Sequence, residues 1–111
     1  MIPIKISQAA AVLEAKTVNL ANDLTAENGY CGDFLSFVIS RIPENALWFT
    51  VMNNANVAAV AKLSDAAAII ICEGIKAEER LAECCKNEGI NLLETKLSAF
   101  ECAVRLAKSS E

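Results

Sequence analysis

The chain has 111 residues, 54% hydrophobic and 22% charged, with a formal charge of −4 from 10 basic and 14 acidic side chains. That is one domain's worth of sequence with enough apolar material for a core, which excludes disorder. The acidic balance argues against nucleic acid and anionic membrane as partners, and the absence of histidine removes the commonest general acid/base and metal ligand.

No apolar run approaches the roughly 20 residues that a bilayer requires. The start, MIPIKISQ, has neither a charged leader nor a long apolar segment ending in small residues, so a cytoplasmic protein is expected. Cys31, Cys72, Cys84, Cys85 and Cys102 are odd in number and irregular in spacing. In a reducing compartment they read as thiols and not as a disulfide framework. Without a C-x-x-C, no metal and no cofactor is expected.

Residues 2–6, IPIKI, alternate weakly around a proline, as a short edge strand or an arm would. Ser7 is placed to cap a helix reaching about Glu14. Residues 16–20 (KTVNL) alternate as a half-buried strand, and residues 22–29 (NDLTAENG) are polar and turn-rich enough for a long loop. Residues 30–32 form a brief strand or strand end. Asp33 then suits the N-cap of a helix through DFLSFVISRI, with Leu35, Val38, Ile39 and Ile42 on one face and Pro43 stopping it.

The stretch 46–74 organises the rest. Residues 46–51 are an apolar, β-branched and aromatic run suited to a strand, with Trp48 and Phe49 in the core. Asn53, Asn54 and Asn56 break the pattern, Val57, Val60 and Ala61 follow at helical spacing, and residues 67–72 form a second apolar run. Strand, polar turn, helix, strand is a βαβ unit with parallel strands. Beyond it, Ala77, Leu81, Cys84, Cys85 and Glu88 mark an amphipathic helix that Gly89 ends, and residues 90–94 a third strand. Ser98 and Glu101 form a capping box for a last helix whose buried stripe is Phe100, Ala103, Val104 and Ala107. The order predicts an α/β fold: a three-layer α/β/α sandwich with a mainly parallel sheet, as a single domain over residues 1–111.

Ligands of such sheets gather beyond the carboxyl ends of the strands. That edge collects Gly32, Asp33, Met52, Asn53, Asn54, Glu73, Gly74, Thr95 and Lys96, of which Gly32, Asp33, Asn53, Asn54, Glu73, Gly74 and Thr95 are the candidate ligand-binding residues. Asn53 and Asn54 can fix a small polar ligand or act as turn and cap residues. Asp33 and Glu73 read as a carboxylate pair or as an N-cap and a turn acid; no partner for acid/base work accompanies them. A nucleophilic Cys31 or Cys72 needs an electropositive setting, which those two acids oppose. No catalytic residue is assigned, and the chain is not expected to be an enzyme. An acidic surface with a high apolar fraction suits a homodimer that buries a sheet edge or helix face.

The segments YCGDFLSFVISRIPENALWFTVMNNANVAAVA and EGINLLETKLSAFECAVRL, within residues 29–106, resemble the DRTGG domain. The family's Asp and Arg positions fall on Asn53 and Asn54, and its Thr-Gly-Gly on Cys72, Glu73 and Gly74, where Gly74 alone keeps its identity. That domain occurs in some phosphotransacetylases and in CBS-containing pyrophosphatases, and is similar to the N-terminal domain of HPr kinase/phosphorylase. Small free-standing members are often encoded beside iron-only hydrogenase genes. The P-loop of the kinase half, G-x-x-x-x-G-K-[ST], is absent from this sequence. The resemblance implies an HPr kinase N-terminal-domain-like fold and a non-catalytic regulatory or ligand-sensing module. The alternative is a protein-interaction adaptor, without a small ligand, in an iron-only hydrogenase or redox-signalling system.

Overall fold

A computed structural model describes residues 3–109. In chain order the elements are β1 (Ile4–Lys5), α1 (Ile6–Val12), β2 (Lys16–Asn19), β3 (Thr25–Ala26), β4 (Asn28–Cys31), α2 (Leu35–Arg41), β5 (Ala46–Thr50), α3 (Asn56–Leu63), β6 (Ala68–Ile71), α4 (Glu79–Glu88), β7 (Leu92–Glu94) and α5 (Ala99–Ser109).

The two apolar runs of the central stretch become β5 and β6, which pair in parallel with Trp48 opposite Ile69 and Phe49 opposite Ile70. β4 joins β5 and β7 joins β6, both in parallel, and β2 closes one edge antiparallel to β7. The sheet order is β2-β7-β6-β5-β4. Every residue of β5 and β6 is buried, because helices cover both faces of a parallel sheet and leave no wet side for alternation to mark. Leu47, Phe49, Ile70 and Leu93 pack with Ile6, Ala9, Cys102 and Leu106 under α1 and α5. Trp48, Ile69, Ile71 and Leu92 pack with Val38, Val57, Leu81 and Cys85 under α2, α3 and α4. The result is a three-layer α/β/α sandwich around a mainly parallel sheet. No helix among the described residues is long and apolar enough to cross a membrane.

Several local expectations are corrected. Ser7 does not cap α1: the cap position is Lys5, whose N–H donates to Gln8 Oε1 at 3.1 Å. Ser7 lies in the first turn, where its N–H and Oγ donate to the Asp23 carboxylate at 2.8 and 2.6 Å. An acid brought in from a distant segment thus does the work of a local cap. Residues 22–29 are not one long loop: β3 pairs antiparallel with β1, and Asn28 and Gly29 already belong to β4. Phe34, not Asp33, occupies the cap position of α2. On that helix Val38 is buried, while Ile39 is 51% exposed. In α4 the buried residues are Leu81 and Cys85, and Glu88 is exposed. Gly89 ends that helix in the left-handed conformation, φ 70°, as glycine tolerates best.

The largest correction concerns α5. Cys102 and Leu106 face the core, whereas Phe100 is 79% exposed and Ala103, Val104 and Ala107 lie on the outside. Spacing marks two faces of this helix, and the more apolar one is not the one that meets the sheet. Of the capping box one half is formed, Ser98 Oγ accepting the Glu101 N–H at 3.1 Å.

Candidate functional site at the carboxyl ends of the strands

β6 and β7 end side by side, with Ile71 opposite Glu94, and β2 begins beside them with Lys16 opposite Glu94. The chain leaves β6 through two left-handed residues, Glu73 (φ 65°) and Gly74 (φ 73°). Glycine adopts that conformation freely; a glutamate held there costs about 1 kcal/mol. What fixes the turn is its pairing with the segment after β7. The Glu73 N–H donates to the Leu97 carbonyl at 2.9 Å and the Gly74 N–H to the Thr95 carbonyl at 3.0 Å. Thr95 is buried; its Oγ1 donates to the Leu13 carbonyl at 2.9 Å and accepts the Leu97 N–H at 3.2 Å.

The segment that follows is tied down from two sides. Asn53 Nδ2 donates to the Lys76 carbonyl at 2.7 Å, the Glu78 N–H donates to the Asn53 carbonyl at 3.0 Å, and Glu94 Oε2 accepts the Ala77 N–H at 2.7 Å. Between this segment and the ends of β2 and β7 lies a cleft of about 190 Å³ lined by Glu14, Lys16, Gly74, Ile75, Lys76, Glu94, Thr95 and Lys96. Gly74 and Thr95 are thus part of its lining, while Asn53 and Glu73 hold its walls.

The remaining predicted residues lie elsewhere along the same edge. Asn54 Oδ1 accepts the Asn56 N–H at 2.9 Å at the opening of α3, on a second cleft of about 240 Å³ shared with Glu78 and Arg80. Asp33 Oδ1 accepts Thr50 Oγ1 and the Val51 N–H, each at 2.8 Å, which locks the end of β5 to the start of α2. The Gly32 carbonyl accepts Trp48 Nε1 at 2.9 Å. Gly32 therefore ties the end of β4 to β5, and Asp33 ties the end of β5 to the start of α2.

Lys16 and Glu94 were not among the residues that sequence reasoning singled out. Their only signal is strand register, since Lys16 meets Glu94 solely because β2 returns antiparallel to β7. In sequence they resemble ordinary solvated charges. Cys72, Cys85 and Cys102 are buried, whereas Cys31 is exposed; desolvation nonetheless raises Cys31, with Cys72 and Asp33 adding to it. Contact with Cys102, then burial, pushes Cys72 up, while the same contact lowers Cys102. Burial also pushes Cys85 up to about 11. Among the described residues no group of three or more Cys, Asp or Glu side chains is arranged to hold a metal ion.

No family model and no curated protein matches the sequence. Among solved structures, the chain is similar to the CBS and DRTGG domains of the regulatory region of Clostridium perfringens pyrophosphatase, crystallised with its activator diadenosine tetraphosphate, with a TM-score of 0.80 over 94% of this chain. The fold is DRTGG-like. Sequence identity to that protein is 14%, and the match spans 46% of its chain, so the likeness is one of architecture. In this DRTGG-like chain the turn at Glu73 and Gly74 is the wall of a cleft, not a flat end of the sheet.

Proposed function

We propose that the protein is a non-catalytic regulatory module that senses a small polar ligand at the carboxyl ends of its strands and pairs with a second copy of itself. The observation that carries this reading is the DRTGG-like fold over 94% of the chain, shared with a protein whose matched portion is described as a regulatory region. The cleft beside Gly74 supports it, because it lies where open parallel sheets bind their ligands and is walled by hydrogen-bonded turns. A ligand that binds the folded state alone raises stability by about 2.7 kcal/mol at 100 times its Kd. A thermal-shift screen of nucleotides and common metabolites is therefore expected to give at least one saturable rise in Tm, and silence across the whole screen would count against sensing.

Self-association is supported by the outer face of α5. Phe100 is 79% exposed at one end of a stripe that continues through the small Ala103 and through Val104. Two such helices packed antiparallel about a twofold axis set the ring of one over the small residues of the other, which makes the surface self-complementary. Sedimentation at micromolar concentration is expected to show a dimer that Phe100→Asp dissociates; a monomer throughout would remove this part. The adaptor reading has its own support in α2 and its cap, where Phe34, Phe37 and Ile39 are 67%, 54% and 51% exposed. Retention of a hydrogenase-system partner by the wild type, lost in Phe37→Asp without any metabolite effect, would favour it.

A further inference from the structure

Resting on the sensing reading above, we infer that the cleft beside Gly74 is an anion site, formed to receive the phosphate or diphosphate group of a small metabolite. Lys16, Lys76 and Lys96 line it from three separate stretches of chain. None of the three ammonium groups makes an ion pair or a hydrogen bond among the described residues. Of the two acids in the same cleft, Glu14 is paired with a cation and Glu94 keeps its charge. Glu14 Oε2 accepts Arg105 Nη1 at 2.7 Å, and Glu94 Oε2 accepts the Ala77 N–H. In a chain with net charge −4, three lysines without an ion pair thus share one depression with a single unpaired carboxylate, Glu94, and the positive excess favours an anion.

Size selects the ligand further. Whole small molecules occupy pockets of about 300–1,000 Å³, so a cleft of about 190 Å³ admits a charged head while the body of the ligand remains outside. Lysines act on phosphate as point charges with three donors each, which suits a tetrahedral group approached from several directions. Lys76 is also positioned: its carbonyl is held by Asn53 Nδ2 and the next N–H by Glu94. Asn53 thereby acts on the site through the backbone without touching the ligand.

The test is calorimetric titration of the full chain with inorganic phosphate, pyrophosphate and a nucleoside diphosphate, beside a panel of neutral metabolites. The expected result is saturable binding of pyrophosphate or the nucleoside diphosphate, weakened about tenfold by Lys76→Ala or Lys96→Ala and by rising salt. The paired control Lys86→Ala and Lys108→Ala, which changes charge away from the cleft, should leave Kd within about twofold. Inorganic phosphate binding as well as the nucleoside diphosphate would mark the free ion as the ligand; tighter binding of the nucleotide would mark an ester. Equal weakening by the control, or binding confined to neutral metabolites, overturns the anion inference, and in the second case leaves sensing intact. Binding at the three lysines that alters neither self-association nor proteolytic susceptibility would preserve the inference and remove the regulatory reading. No binding by any compound removes both.

Discussion

The orientation of α5 is best examined by a pair of truncations, because two stripes of the same helix compete for the core. Leu106 is 1% exposed and packs in the cluster with Ile6, Ala9 and Leu13. Leu106→Ala removes a buried branched side chain and leaves a cavity, which costs about 2–5 kcal/mol. That is a large share of the 5–15 kcal/mol typical of a whole domain. At about 4–8 °C per kcal/mol for a chain of this size, Tm should fall by at least about 8 °C. Phe100, 79% exposed, sits about 120° around the helix from Leu106. Phe100→Ala should change monomer stability by no more than about 0.5 kcal/mol, helped by the better helix propensity of alanine. Urea unfolding followed by circular dichroism, at protein concentrations low enough to exclude association, gives both values. A larger loss from Phe100→Ala than from Leu106→Ala would mean that the helix presents its other face to the sheet, and the core described here would be wrong.

Three further outcomes are expected. Asn91 is buried, and its side chain accepts the Ala21 and Asn22 N–H groups and donates to the Asn22 and Ala67 carbonyls; Asn91→Leu strands four polar groups and should cost at least about 3 kcal/mol in urea unfolding. Asp33→Ala, which releases the buried Thr50 hydroxyl and the Val51 N–H, should cost about 1–2 kcal/mol by the same assay. Bonds from the Ser7 hydroxyl and N–H hold Asp23 below its ordinary value of 3.8. The stabilisation is therefore complete above that value and is lost as pH falls through the lowered one, so Ser7→Ala should destabilise at neutral pH and converge with the wild type in strong acid.

How much of this was legible in the sequence depends on what each residue touches. β5 and β6 were readable because both faces are buried, so the runs at 46–51 and 67–72 are apolar throughout and their linkage through α3 leaves parallel pairing as the natural result. β3 was not, since Thr25 and Ala26 become a strand only by pairing with Ile4 and Lys5, a partnership of distant residues that local polarity conceals. The face of α5 was misassigned because apolarity alone chose the stripe with Phe100, while Cys102 and Leu106 make the narrower contact that the sheet accepts. At the strand ends, Gly74 and Thr95 were predictable from the positions where β6 and β7 stop. Lys16, which lines the same cleft, was not, because only the register of β2 against β7 brings it there.

The central claim is that the strand-end cleft beside Gly74 is where this protein meets its ligand. Backbone amide shift mapping during a pyrophosphate titration addresses it directly. The account predicts saturable movement concentrated at Gly74, Ile75, Lys76, Thr95 and Lys96, with α2 and the far ends of the strands unmoved. Saturable movement centred on another surface, with these five amides still, would contradict it.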